Sequence, residues 1–273
     1  MPRFEGITEN DVKTLIAIYR GAEKEIIDSV KGADIASRPA KAALLAQIQG
    51  KLAELVDPTN EFIDIHAIKE YQTGIELVDS AFFRESFSLV DDQALIQLID
   101  SAKSQIKTAL GTSLQHIETL ANRLTREAGQ QAIEETGKAL ILGRSRKELS
   151  KRFAQILTDN GITGYTYSDK NGKQYNVSLE AYVDSMARST LRDARITAIS
   201  QRTIENGGDL VKVTSHPNPS PLCSPWQGKI LSVSGKTEGY PTLQEAINGG
   251  KGLFHRYCRH SINPYNPTDI KFN

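Results

Sequence analysis

Apolar residues recur every three or four positions through most of the first 160 residues, a spacing typical of amphipathic helices. The stripes predict helices over residues 11–31, 44–56, 60–83, 91–126 and 128–142. Pro58 is expected to end the second helix and Gly143 the fifth, because proline lacks a backbone donor and glycine favours helix C-termini. The fourth helix, of roughly thirty residues or about 45 Å, predicts either an extended bundle that docks on another protein or an ordinary core helix.

The third helix has an apolar stripe that passes through Phe62, Ile65, Ile68, Tyr71, Ile75 and Val78. This stripe predicts that all six side chains face the protein interior. Gly74 interrupts the stripe and is expected to weaken the middle of the helix, because glycine is a poor helix former.

The pattern changes after residue 143. Ser145 and Glu148 form a capping-box sequence, which predicts a helix that starts there and ends near residue 160. Asn171-Gly172 lies between two alternating stretches and predicts a β-hairpin. The remaining predicted elements are a helix over residues 178–206, strands over 209–214 and 229–234, and a short helix over 242–247. The fold class is therefore mainly α, with an N-terminal helical bundle that contains a long helix and a small α+β C-terminal domain.

Charge divides the chain at the same point, although the formal net charge of all 273 residues is zero. Residues 1–143 carry 15 Lys and Arg against 22 Asp and Glu, whereas residues 144–273 carry 18 against 11. An acidic half repels nucleic acid at long range and a basic half attracts it. The sequence thus predicts an acidic helical domain, 1–143, and a basic α+β domain, 144–273; solvated helix faces of mixed sign are the alternative.

Hydropathy and cysteine content predict the compartment. No apolar run approaches the ~20 residues that a bilayer span needs, and the N-terminus lacks the order of segments found in a signal peptide. Two cysteines do not make a disulfide framework. We therefore expect a soluble protein that is synthesised in a cytoplasm.

Two short clusters near the C-terminus, residues 214–229 and 254–262, hold both cysteines, the only tryptophan and three of the five histidines. Two sulfur and two nitrogen ligands suit tetrahedral zinc, although the spacings differ from the usual closely spaced cysteine pairs. The candidate ligands are His216, Cys223, Cys258 and His260, with His255 as a spare. The alternative is a structural corner with two small buried cysteines, or with a disulfide between them. In that corner Trp226 would anchor the loop and Gly228 would give it room.

Catalysis is a second interpretation of the clusters. His216, His255 and Cys258 could form the centre of a nuclease-like or toxin-like site, because histidine acts as acid and base near neutral pH. Neither cluster contains a carboxylate to orient a histidine, and phosphate-binding and nucleophile-elbow motifs are missing from the sequence. The sequence therefore predicts no catalytic residue and favours a protein that is not an enzyme.

The helix over residues 178–206 has a basic side that could neutralise DNA phosphates without reading bases. Its arginines are Arg188, Arg192, Arg195 and Arg202. A solvated face paired with Asp184 and Asp193 is the alternative.

The two clusters, with the helix and hairpin before them, resemble a known family. The segments Leu222-Cys-Ser-Pro-Trp-Gln-Gly-Lys229 and Leu253-Phe-His-Arg-Tyr-Cys-Arg-His-Ser-Ile262 look like those of phage minor capsid proteins of the minor-capsid-protein-2 type, which are related to the head-morphogenesis proteins of phages Mu and SPP1. The resemblance covers roughly residues 140–265, and the first 140 residues share only helical character. Trp226, Gly228, Lys229, His255 and Arg259 are its motif residues.

This resemblance implies a low-copy virion protein inside the phage head, made in the host bacterial cytoplasm. The implied partners are the portal protein, the major capsid or scaffold protein, and packaged DNA. The implied role is head assembly, with a contribution to DNA release or delivery. Family members often carry a second cysteine three residues before the first one seen here and an asparagine before Cys-Arg-His; Ser220 and Tyr257 stand at those positions, which leaves His216 as the substitute ligand.

Overall fold

The computed structural model describes residues 9–82, 93–134, 142–169, 171–250 and 252–267. About 68% of the chain is helical, and small antiparallel sheets lie near the C-terminus. The prediction of a mainly α protein with a small α+β C-terminal part is therefore confirmed. Within the described residues, no helix combines the length and apolar character that a bilayer crossing requires.

Six long helices and one short helix account for the α-helical content of the described residues. They are α1 (Glu9–Gly32), α2 (Arg38–Ala53), α3 (Val56–Ala81), α4 (Gln93–Glu134), α5 (Leu142–Asn160), α6 (Leu179–Glu205) and α7 (Leu243–Ile247). The strands are β1 (Thr163–Ser168), β2 (Gln174–Ser178), β3 (Leu210–Val213), β4 (Ile230–Ser232) and β5 (Ile262–Pro264). Strand β5 is absent from the sequence prediction, because three residues that include a proline are too short to show alternation.

The chain folds into two compact units. One unit is built from Met1–Val12, Glu61–Ala102 and Ser185–Asn273, and the other from Lys13–Asn60 and Lys103–Asp184. Each unit therefore uses segments from both sides of residue 143. The predicted domains 1–143 and 144–273 stay a prediction.

Three predicted helix ends differ from the structure. Pro58 does not end α2 and instead lies in the first turn of α3. Backbone N–H groups in the first turn form no hydrogen bond within the helix, so a proline there removes none. Gly143 does not end a helix, and Ser145 does not cap one, because α5 already begins at Leu142. The C-terminal part of the helix predicted over residues 128–142 falls on residues 135–141, which lie outside the described residues.

The unit that contains α5 also holds the hairpin. Strands β1 and β2 pair antiparallel with Tyr167 opposite Tyr175, as the Asn171-Gly172 sequence predicts. The Asp169 carboxylate accepts hydrogen bonds from the backbone N–H groups of Asn171 and Lys173 at 2.8 and 3.0 Å, and Gly172 has a φ of 79°. The backbone of a residue with a side chain would be strained at this angle, so the turn favours glycine at position 172.

The other unit has a three-stranded antiparallel sheet in the order β4-β3-β5. Val211 of the central strand β3 pairs with Leu231 on one side and with Pro264 on the other. The sheet packs with α3, α6 and α7 around one apolar core. Its buried members are Val78, Ile196, Ile199, Val211, Val213, Cys223, Leu231, Leu243, Ala246, Leu253 and Ile262.

Helix α3 buries only part of the expected stripe, since Tyr71, Ile75 and Val78 face the core. Ile65 and Ile68 are 54% and 43% exposed, whereas Ile63 and Ala67 are fully buried. Gly74 also lies on the buried side, where a Cβ atom would come within 2.7 Å of the Ala198 Cβ of α6. Gly74 faces α6 because glycine, which has no side chain, allows the two backbones to approach.

Gly74→Ala is therefore expected to destabilise the protein, although alanine is about 1 kcal/mol better than glycine in a helix. The added methyl group would lie 2.7 Å from the Ala198 Cβ and 2.9 Å from the Arg195 carbonyl oxygen, so the helices must separate. We expect a loss of about 1–3 kcal/mol in the free energy of unfolding, measured by urea titration.

Gly111→Ala in α4 is the matched control, because no atom lies within 4 Å of the position its methyl group would occupy. It should stabilise the protein by about 0.5–1 kcal/mol. Equal effects of the two substitutions would contradict the close contact between α3 and α6.

Candidate functional site

The two Cys/His clusters meet because the strands that hold them share β3. The first cluster starts at the end of β3, runs through a proline-rich loop and the 3₁₀ turn Ser224–Trp226, and returns as β4. The second cluster leads into β5, the other neighbour of β3. The backbone N–H of Thr214 donates to the Ser261 carbonyl at 3.0 Å, which holds the two clusters side by side.

The two cysteines lie next to each other as free thiols. The Cys223 and Cys258 sulfur atoms are 3.4 Å apart. Cys223 is buried and Cys258 is partly exposed. Burial raises the pKa of the Cys258 thiol, an effect opposed by the hydrogen bond from the His260 backbone N–H. A raised pKa leaves less of the reactive thiolate, so the surroundings of Cys258 do not activate it as a nucleophile.

His260 completes a group of three ligand-type side chains. It is 3% exposed, and its Nδ1 atom lies 3.4 Å from the Cys258 sulfur. The ligand atoms of Cys223, Cys258 and His260 all lie within 4.8 Å of one another. Burial lowers the pKa of His260, and the nearby histidines His216 and His255 lower it further. These causes favour a neutral imidazole.

His216 and His255 lie at the edge of this group. The His216 ring meets the His260 ring edge-on with 4.9 Å between centroids, and its Nε2 lies 3.3 Å from the Thr214 hydroxyl. His255 Nε2 lies 3.1 Å from the Ser220 hydroxyl, which in turn contacts the Cys223 sulfur at 3.5 Å. Of the four expected zinc ligands, the structure therefore brings Cys223, Cys258 and His260 together. His216 contacts the His260 ring and is not part of this group.

Arg192 of α6 forms hydrogen bonds with the backbone of the second cluster. Its guanidinium donates to the backbone carbonyls of Phe254, His255 and Cys258 at 2.9, 3.0 and 3.0 Å. The guanidinium also lies 2.8 Å from Asp193. Its fixed fork of donors suits three carbonyls that a tight turn leaves without strand partners. We call Arg192 and the two clusters the clasp.

The other arginines of α6 also have partners in the same unit. Arg195 forms an ion pair with Glu70 at 2.5 Å, and Arg202 is a buried residue that forms one with Asp79 at 2.6 Å. Arg188 is partly buried. The prediction that Arg202 lies on an outward basic face is thus wrong, because Arg202 is buried in an ion pair with the Asp79 carboxylate of α3. DNA contact by these residues stays a prediction.

The remaining motif residues support the loops. Trp226 packs against the core, and the Lys229 ammonium lies 5.1 Å from the centre of its ring. Gly228 has a φ of 67°, at which a residue with a side chain would be strained. Arg259 is exposed. Trp226 therefore contacts the core and Lys229, and its role as the anchor of the loop stays a prediction.

The geometry bears on the catalytic interpretation. Among the described residues, the groups that hydrogen-bond the His216, His255 and His260 rings are hydroxyl, amide and thiol groups, and none is a carboxylate. A catalytic histidine is usually oriented by such an acid. The arrangement suits metal binding or loop closure better than proton transfer.

Comparison with known proteins decides the family. The sequence matches the family described as Phage minor capsid protein 2 over residues 35–268. The chain belongs to this family. No curated protein and no solved structure matches the chain.

Membership of the minor capsid protein 2 family corrects one expectation. The match begins just after α1, so it includes α2, α3 and α4 as well as the clasp. The resemblance noted in the sequence started near residue 140. The helices upstream lack short motifs, because their residues are selected for packing and many apolar sequences pack equally well.

Three functional side chains of this capsid protein were not recognised from its sequence. Arg192 was assigned to a DNA-facing surface, and Ser220 and Gln227 had no role. Gln227 Oε1 lies 2.6 Å from the His216 backbone nitrogen and 3.1 Å from His260 Nε2. The signal for Gln227 was its place in the Trp-Gln-Gly motif, whereas nothing local to Arg192 indicates carbonyls that are more than 60 residues away.

Proposed function

We propose that the protein is a low-copy structural component of the phage head, located inside it beside the portal, where it assists head assembly. The observation that carries the proposal is the family match over residues 35–268. A structural role is also supported by the clasp, since its polar groups are occupied in joining two loops to α6. We propose no catalytic activity.

The proposed partners are the portal protein, the major capsid or scaffold protein, and packaged DNA. The uneven charge of the chain supports this set. An acidic N-terminal half suits a basic protein surface, and a basic C-terminal half tolerates the high phosphate density inside a filled head. A contribution to DNA release or delivery is the further step of the proposal.

Cross-linking of purified, intact heads tests the portal association. Lysine cross-links followed by mass spectrometry should join this chain to the portal protein, and the exposed Lys31 and Lys212 offer one site in each half of the sequence. Protease treatment of intact heads should leave the chain uncut. Cross-links only to external head proteins, or digestion in intact heads, would count against the location.

A phage with an early stop codon in this gene separates assembly from delivery. Failure of assembly should give few or malformed heads, and a plasmid copy of the gene should restore them. DNA-filled heads of normal shape that fail to infect would instead assign the protein to DNA release. Normal yield and infectivity without the protein would contradict both roles.

A further inference from the structure

We propose that Cys223, Cys258 and His260 are the three protein ligands of a tetrahedral zinc ion, and that His216 is not a ligand. The proposal goes beyond the capsid role, because the family match does not itself assign a metal to the chain. It rests on the geometry of the three side chains, on the orientation of His260 and on the way the two loops are held.

Two of the three distances within the group lie close to the edges of a zinc tetrahedron, and the third, between the Cys223 sulfur and the His260 ring, is no more than 4.8 Å. Bonds of about 2.3 Å to sulfur and about 2.0–2.1 Å to nitrogen give sulfur–sulfur and sulfur–nitrogen edges of about 3.8 and 3.5 Å. The Cys223–Cys258 sulfur pair and the Cys258 sulfur–His260 Nδ1 pair are each separated by 3.4 Å. A disulfide needs about 2.05 Å between the sulfur atoms. The spacing therefore suits a bridging metal.

Gln227 fixes which nitrogen of His260 can bind the metal. Gln227 Oε1 accepts a hydrogen bond from the His216 backbone N–H, so it presents an oxygen acceptor toward His260 Nε2 at 3.1 Å. Nε2 must then carry the proton, which leaves the lone pair on Nδ1, the nitrogen that faces Cys258. Histidines that bind zinc usually donate their other N–H to such an acceptor.

His216 has a supporting position in this arrangement. Its backbone N–H orients Gln227, while its ring stacks edge-on against His260 and its Nε2 contacts the Thr214 hydroxyl. The His216 Nε2 atom therefore contacts a hydroxyl group and not a cysteine sulfur. Replacing only the His216 ring should leave the backbone hydrogen bond to Gln227, and hence the metal ligands, in place.

Ser220 lies next to Cys223, one of the three proposed ligands. Its hydroxyl lies 3.5 Å from the Cys223 sulfur, close to a tetrahedral edge, and contacts His255 Nε2 at 3.1 Å. We assign the fourth ligand to a water molecule beside this hydroxyl. A sulfur atom at position 220 would supply a fourth protein ligand, so Ser220→Cys should tighten zinc binding.

Elemental analysis of the full chain, purified without chelator from zinc-supplemented cells, tests the site. The wild type and His216→Ala should each contain close to one zinc per chain, whereas Cys258→Ser and His260→Ala should contain almost none. Cobalt substitution should give a thiolate charge-transfer band in the first two proteins only. Ser220→Cys should raise the affinity for zinc, measured by chelator competition, by at least about tenfold.

Ser220→Cys keeps the test valid if the loss variants fail to fold, because a gain in affinity requires a folded site. Zinc-free wild type with two reduced cysteines would overturn the proposal, as would a Cys223–Cys258 disulfide in freshly purified protein. Loss of zinc from His216→Ala would overturn the assignment of ligands. These results come from purified protein, so they are independent of the portal location tested in heads.

Discussion

Asp79→Asn is expected to lower the free energy of unfolding by about 3–5 kcal/mol. Asp79 and Arg202 are 4% and 6% exposed, and the Arg202 Nε and Nη2 atoms lie 2.6 and 3.1 Å from the two carboxylate oxygens. Asn206 donates to the same carboxylate at 3.1 Å. The substitution leaves the Arg202 guanidinium charge buried without its main counter-charge, and urea unfolding monitored by circular dichroism measures the loss.

Asp28→Asn is the matched control for this prediction. Asp28 forms an ion pair with Lys31 at 2.9 Å, but both side chains are more than half exposed. Water already screens that pair, so the change should stay below about 1 kcal/mol. The double variant Asp79→Leu with Arg202→Met should recover part of the lost stability, because it leaves no buried charge. Similar effects of Asp79→Asn and Asp28→Asn would show that the Asp79–Arg202 pair is not buried.

Arg192→Met is expected to destabilise the protein by about 3–5 kcal/mol and to loosen the second cluster. Three backbone carbonyls, those of Phe254, His255 and Cys258, lose the guanidinium as a donor in this variant, and only the His255 carbonyl keeps a backbone donor, the N–H of Cys258. An unsatisfied buried polar group is unfavourable by about 1–3 kcal/mol, and some of these carbonyls would regain water as the turn opens. Urea unfolding measures the loss, and hydrogen exchange of the 254–261 segment measures the loosening.

Two further variants decide how Arg192 acts. Arg192→Lys keeps the charge but offers no planar fork, so it should recover only part of the stability. Arg259→Met removes an exposed arginine of the same cluster and should change the free energy of unfolding by no more than about 0.5 kcal/mol. Full recovery by lysine would show that charge, and not the three hydrogen bonds, is what the clasp needs.

The elements that the sequence predicts well are those whose signals are local. The apolar stripe of α1, the Asn171-Gly172 turn and the start of the helix predicted over residues 178–206 each depend on residues a few positions apart, and each is present in the structure. Thr242 and Glu245 likewise form a complete capping box at the start of α7. Such features arise from backbone geometry, which neighbouring residues determine.

The errors occur where distant residues decide the outcome. Gly74 is a weak helix former in isolation, yet it lies at a close contact between α3 and α6. Arg202 looks like a solvent-facing arginine until α3 places the Asp79 carboxylate against it. Pattern alone cannot show these contacts, because the partners are more than 100 residues apart along the chain.

The candidate site was predicted in part. The composition of the two clusters indicated a common site, and Cys223, Cys258 and His260 do meet. The choice of His216 as the fourth ligand followed from residue type, whereas the structure turns its ring toward Thr214. The pairing of β3 with both β4 and β5 determines which side chains converge, and β5 was not recognised in the sequence.

Quantitative mass spectrometry of purified, DNA-filled heads tests the central claim, a structural role in the head, most directly. We expect the wild-type chain to be present in a fixed ratio to the portal protein and in far fewer copies than the major capsid protein. Arg192→Met should be depleted from the heads, whereas Arg259→Met should be retained. Absence of the wild-type chain from such heads would contradict a structural role.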